Sequence, residues 1–288
     1  MKLEQSSNLS DGGGSSSYSS KRIKVKPFQK SRFVIQLTLI MLAVITIFAF
    51  TTFETGDAGF FEGVWNTILN VRVMFFEAHF SHFTFWEAVH QVFITLGLAM
   101  LTTLFGAIVA LFFSLFAAQN LSNKYVSNII KGIVAFIRAV PTVLWVLIFA
   151  VAAGLGSVAA VIGMTFHTIG YLIKAFSESF EDIDHGILEA LRSSGAGWWQ
   201  TIFQAVLPST ITTLISWVFM RFEINFGVAI AMGAAAGAGG IGYDMFMASG
   251  FYFDLREVGT ITYFILTLAI ILEFTSTQIR ARLSGKRQ

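Results

Sequence analysis

Apolar residues gather into six long runs, at about 33–53, 89–117, 133–152 and 157–176, from after Pro208 to about 233, and at 258–279. Each approaches or exceeds the roughly 20 residues that a helix needs to cross about 30 Å of hydrocarbon. Lipid offers exposed peptide groups no partners, so the runs are predicted to be helices, which close their own hydrogen bonds. The pattern therefore predicts an all-α, polytopic membrane protein with about six transmembrane helices. Pro141 removes a backbone donor inside the third run and is expected to bend or restart that helix. Gly154-Leu155-Gly156 reads as a tight turn after it. The fifth run is the least regular, because Arg221-Phe222-Glu223-Ile224-Asn225 interrupts it and a small-residue tract, 233–242, follows. Such a tract permits close backbone approach or a break in the helix.

Composition agrees: 55% of the residues are hydrophobic, 12% are charged, and mean hydropathy is +0.70. A net charge of +2 is too small and too unevenly placed to suggest nucleic-acid binding. The absence of cysteine excludes disulfides and thiolate chemistry, and the five histidines show no metal-ligand spacing.

Charge placement gives a topology. Residues 1–32 form a Ser/Gly-rich, basic tail expected to be disordered and cytoplasmic, ending in Lys21, Arg22, Lys24, Lys26, Lys30 and Arg32. The following apolar run is longer than a signal-peptide core and is read as a retained first helix, with anionic lipid a further partner for the basic run. Residues 33–84 make that helix and an external connection. Its acidic and aromatic stretch, 54–88, suits the headgroup level, and docking of a binding protein is the alternative. Residues 85–279 form the core, with a polar segment at 177–208, and 280–288 a second basic tail. Lys124 and Lys131 mark one cytoplasmic loop, span parity assigns 177–208 to the same side, and both termini are expected there.

Glu189, Ala190 and Gly195, with Leu207 and Pro208 after a fixed interval, resemble the cytoplasmic coupling loop of permease subunits of binding-protein-dependent ABC importers. Leu191 and Ala205 stand where that pattern usually has alanine and isoleucine. Arg138-Ala139-Val140-Pro141, His167-Thr168 with Gly170, and Arg221-Phe222-Glu223-Ile224-Asn225 followed by Gly237-Ala238-Gly239-Gly240-Ile241-Gly242 resemble the phosphonate-importer subfamily. Together these motifs cover about 85–279.

The resemblance implies a type I importer fold in a bacterial plasma membrane. It also implies a second permease subunit, identical or homologous, two cytoplasmic ATPases carrying ATP and Mg, and an extracytoplasmic solute-binding protein delivering a small anion. The chain lacks a phosphate loop ending in Gly-Lys-Ser or Gly-Lys-Thr, so no ATPase site and no cofactor are expected in it.

Physical reasoning adds roles. Ala190 and Gly195 are small enough for a partner surface to approach closely, Glu189 offers a rim charge, and Pro208 suits a first helical turn. A charge within an apolar run is costly unless it faces a cavity or partner. Arg221 is thus a candidate for guiding an anion, with Glu223 holding helices or subunits in register; packing and anchoring is the competing role for both. His167, Thr168 and Asn225 are candidates for lining the same path, and a histidine satisfied by a backbone carbonyl is the alternative for His167. Gly237, Gly239, Gly240 and Gly242 are candidates for a gate or a close-packing point. Transport of another small solute, or a membrane scaffold without transport, are the rival functions.

Overall fold

The computed structural model describes residues 30–52 and 59–284. Most of the expected N-terminal tail, with Glu54, Asp57, Lys286 and Arg287, lies outside the described residues. The chain divides into two units, 1–62 and 63–288. The first contains α1 (Lys30–Thr52), apolar on every side. Its Thr38 and Thr46 hydroxyls donate to the carbonyls of Val34 and Leu42, so they are satisfied without water.

The second unit takes in nearly all of α2 (Phe60–Phe76), which lies in the expected external connection. Glu62 and Arg72 near its two ends obscure an otherwise apolar helical stretch. The last turn of α2 is seated on a later helix: the Tyr263 hydroxyl donates to the Phe75 carbonyl, and a Cβ at Gly259 would collide with Met74 backbone.

Next comes α3 (Phe85–Ala117), opened by a capping box in which the Thr84 hydroxyl accepts from Glu87 N–H and the Glu87 carboxylate accepts from Thr84 N–H. The third apolar run is split. α4 (Lys124–Ala139) and α5 (Thr142–Ala153) meet at 89° across Val140 and Pro141. Pro141 has no N–H to give the Ile137 carbonyl four residues back, and the Trp145 indole N–H donates to that carbonyl at 2.9 Å instead. The elbow is thus pinned by the side chain that replaces the missing donor.

α6 (Ser157–Glu181) packs most extensively against α3 and α5. α7 (His185–Ser193) is a short projecting helix, and α8 (Trp198–Thr201) runs through a π turn at Ile202–Val206 into α9 (Leu207–Ala236). Residues Trp198–Ala236 form one span of 39 residues. α10 (Ile241–Phe246) folds back beside the end of α9, and α11 (Leu255–Ser284) closes the described chain. Among the described residues five helices are long and apolar enough to cross a membrane, or six if the bent α4–α5 pair counts as one. This is the expected all-α, multi-pass architecture.

Two boundaries differ from the sequence reading. The segment 177–208 is mostly helical: 177–181 complete α6, and 198–208 lead into the long span, leaving 182–197 as the projecting part. Pro208 falls in the first turn of α9, as expected, but α9 continues from α8 without a break. The proline sits just after the π turn, whose wider hydrogen bond, Leu207 N–H to Ile202 carbonyl, accommodates a residue with no donor.

Candidate functional site

A polar cluster lies where α3, α6 and α9 meet in the apolar bundle. Arg221 is only 3% exposed. Its Nε and Nη2 both donate to Thr168 Oγ1 at 3.2 Å, and Nη2 also lies 3.1 Å from His167 Nδ1. A guanidinium only donates, so His167 Nδ1 accepts and the neutral ring carries its proton on Nε2. The Tyr171 ring lies 4.9 Å from the Arg221 guanidinium carbon and supplies a cation–π face. Asn225 is fully buried; its Nδ2 donates to Thr103 Oγ1 at 2.9 Å and to Thr168 Oγ1 at 3.1 Å. Gly106 makes this junction possible, since a Cβ there would stand 2.5 Å from Thr168 Cγ2.

Every contact of Arg221 is with a neutral group, and among the described residues no carboxylate pairs with it. The cluster is a cation without a carboxylate partner, held by the hydroxyl and imidazole acceptors of α6 and by the face of Tyr171.

His167, Thr168, Arg221 and Asn225 are brought together as a group. Glu223 is not among them: two residues on, it points elsewhere and faces Arg280 of α11 at 3.8 Å. Tyr171 and Thr103 were missed by sequence reasoning. Tyr171 lies one turn beyond His167 and Thr168, so helical spacing contains the signal, whereas Thr103 lies on a different helix and carries none.

The small-residue tract forms the turn between α9 and α10. Gly237 and Gly239 hold φ of +62° and +78° there, and a Cβ on Gly239 would have only Ile94 near it, at 4.0 Å. The close approaches occur at Gly240, where a Cβ would meet Thr95 Oγ1 at 2.3 Å, and at Gly242, where it would meet the Ile230 carbonyl oxygen at 1.9 Å. Thr95 Oγ1 accepts from Ile241 N–H at 3.0 Å and fixes the turn on α3.

At one end of the bundle, α7 starts at Asp184, which caps Gly186 N–H at 2.8 Å. It ends in paired bonds, Ala196 N–H to Leu191 carbonyl and Gly195 N–H to Arg192 carbonyl, with Gly195 at φ +82°. Glu189, Ala190 and Gly195 are exposed, Leu207 is half-buried and Pro208 is exposed. The inward side of this segment is firmly held. Leu188 is buried, Arg192 Nη2 donates to the Asn120 carbonyl at 2.7 Å, and Trp198 Nε1 donates to the Leu121 carbonyl at 2.8 Å. A load on α7 is therefore delivered to the α3–α4 connection and to α9 together.

Near the start of α11, the buried Glu257 carboxylate accepts from the N–H groups of Ser81 and His82 and lies 2.7 Å from His82 Nδ1. Asp254 lies close by, and His82, Asp254 and Glu257 offer donor atoms within 4.8 Å of one another. The 2.7 Å approach is a hydrogen-bond distance, shorter than the ~3.3 Å between ligand atoms on a tetrahedral zinc, so the arrangement is a clamp between segments distant in sequence. In α10, burial, reinforced by the charges of Glu257 and Glu87, pushes the Asp244 carboxyl up to about 6.

Residues 110–288 match the family described as binding-protein-dependent transport system inner membrane component. The phosphate-import permease protein PhnE of Mycolicibacterium smegmatis is 32% identical over 191 residues, 66% of this chain and 35% of that protein, so the chain spans about a third of this relative. The phosphite transport system permease protein PtxC of Stutzerimonas stutzeri is 29% identical over 202 residues, 70% of this chain and 72% of that one. In fold, the chain is similar to a solved inward-facing MetNI methionine ABC transporter structure, with a TM-score of 0.64 at 20% identity, covering 71% of this chain and 99% of that one. The matched stretch takes in α6, α7 and the whole Arg221 cluster apart from Thr103, and on that match the chain belongs to the family of inner membrane components of binding-protein-dependent transport systems.

Proposed function

We propose that the chain is the permease subunit of an ATP-driven importer for phosphonates or related phosphorus oxyanions. The observation that carries this reading is Arg221, a buried cation whose partners are all neutral. A guanidinium in an apolar bundle is costly unless it meets a partner, and the named phosphate and phosphite relatives point to an anionic one. His167, Thr168 and Asn225 orient the guanidinium, while Glu223 joins α9 to α11 through Arg280. The exposed face of α7, with Glu189, Ala190 and Gly195, takes the push of a separate ATPase, and the ties of Arg192 and Trp198 carry it into the bundle. A pair of permease subunits, a pair of ATPases binding ATP and Mg, and an external solute-binding protein complete the machine. α7 and both termini face the cytoplasm of a bacterial cell.

The direct test is uptake of labelled 2-aminoethylphosphonate, phosphite and phosphate into vesicles holding the assembled complex. Arg221→Gln is expected to abolish ATP-dependent uptake while the complex still assembles. Unchanged uptake kinetics in an assembled Arg221→Gln complex would remove Arg221 from the pathway. Uptake of methionine instead of any phosphorus oxyanion would favour the second reading, suggested by the likeness in fold to a methionine transporter.

A further inference from the structure

A second group of charged residues lies between α4 and α6, apart from the Arg221 cluster. A cavity of about 310 Å³ is lined by Lys131, Arg138 and Lys174 together with Ser177, Glu178 and Glu181. At ~30 Å³ per water this holds about ten waters, enough for a small oxyanion with part of its hydration shell. On α6 the cavity residues Lys174, Glu178 and Glu181 continue, at helical period, a stripe begun by His167 and Gly170 outside it, and Lys131 and Arg138 of α4 line the other side. Along that stripe Lys174 stands seven residues, or ~10 Å, beyond His167 towards the end of the bundle that carries α7.

The pairing of these charges is uneven. Lys131 is bound to Glu181 at 2.8 Å, and Glu181 also accepts from Gln119 N–H at 2.7 Å. Lys174 reaches Glu178 only at 3.4 Å, with both side chains about half exposed. Arg138 forms no ion pair among the described residues. Its position in the last turn of α4 suits the helix dipole, and among the described residues it is the cation of this cavity that no carboxylate pairs. The stem of Arg138 lies over Gly170, where a Cβ would stand 3.4 Å from Arg138 Cγ. Arg138 thus occupies the level between His167 and Lys174.

We infer that this cavity is a second oxyanion station, holding a phosphate or phosphonate group between Arg138 and Lys174, with Lys131 released from Glu181 as a third donor. The inference rests on the phosphorus-oxyanion reading of the Arg221 cluster for its cargo, but its site is separate. The same chemistry is offered by a free oxyanion on its way through and by the phosphate of an anionic lipid headgroup, since basic pockets between membrane helices bind both.

The experiment places the full chain in phosphatidylcholine nanodiscs and, separately, in nanodiscs containing phosphatidylglycerol. Acetylation of Lys131 and Lys174 is read by mass spectrometry with inorganic phosphate or with chloride at matched ionic strength. Phosphate is expected to protect both lysines in phosphatidylcholine, with about tenfold weaker apparent affinity in Arg138→Gln and recovery in Arg138→Lys. Protection by phosphatidylglycerol without added phosphate identifies the headgroup as the occupant of the same station. Equal labelling under all conditions, or protection unaffected by Arg138→Gln, overturns the proposal. The readout needs no transport, so normal uptake by Arg221→Gln would sink the central pathway and leave this result standing.

Discussion

Thr168→Val isolates the energetics of the buried cluster. Valine keeps the shape of threonine but removes a hydroxyl that accepts from Arg221 Nε and Nη2 and exchanges hydrogen bonds with the Asn225 amide. The two arginine contacts share one acceptor and count as one charge-assisted bond worth about 1.5–3 kcal/mol, and the asparagine bond adds about 1. Arg221 is too buried for water to take over, so a loss of about 3 kcal/mol is expected. In an Arg221→Met background no stranded cation remains, Asn225 keeps its bond to Thr103, and the same change should cost only about 1 kcal/mol. The coupling energy in the double-mutant cycle is therefore about 2 kcal/mol. Reversible unfolding of the four proteins by detergent titration, followed by tryptophan fluorescence, measures it. Costs that add to within about 0.5 kcal/mol would show that Thr168 does not hold Arg221, and the account of the cluster would fall.

Three further outcomes follow from other parts of the fold. Trp145→Phe keeps the ring contact with Phe166 but strands the Ile137 carbonyl, and should cost about 1–3 kcal/mol in the same assay; adding Pro141→Ala, which restores a backbone donor, should return part of that loss. Gly195 has open space around a Cβ but φ of +82°, so Gly195→Asn should lower the unfolding midpoint less than Gly195→Val, by virtue of asparagine's tolerance of left-handed backbone; equal losses would point to crowding rather than conformation. Asp244 has a folded pKa of about 6 above a reference of 3.8, so its ionisation destabilises the fold as pH rises between those values. Asp244→Asn should accordingly raise thermal stability above pH ~6 and leave it unchanged below pH ~4; a gain that persists in acid would assign the effect to something other than charge.

The apolar runs made the spanning helices legible because lipid imposes one requirement along the whole length of a helix. Pro141 announced the elbow for an equally local reason, the missing donor. The purpose of Trp145, which satisfies the carbonyl that Pro141 leaves, needed the folded turn. α2 was hidden because Glu62 and Arg72 broke up its apolar count, and the course of 198–208 because a π turn carries the helix through a proline that otherwise reads as a start. In the cluster, one residue pattern on α6 and another on α9 foretold four members. Which neighbour each would meet was not legible: Glu223 was expected to hold helices or subunits in register, and only the fold shows that it faces Arg280 of α11. The Glu257–His82 contact joins residues 175 apart, a separation at which local pattern carries no signal.

The grip on the α3–α4 connection has a consequence for how sequences of this kind can drift. Arg192 and Trp198 hold backbone carbonyls, those of Asn120 and Leu121, and not the side chains at those positions. A carbonyl is supplied by every residue type, so mutation on the accepting segment leaves these two bonds chemically intact as long as the backbone path is kept. The donors have less freedom, because a replacement must bring an N–H of similar reach to the same place. Variation can accumulate on one side of the joint more readily than on the other, and the mechanical link persists through it.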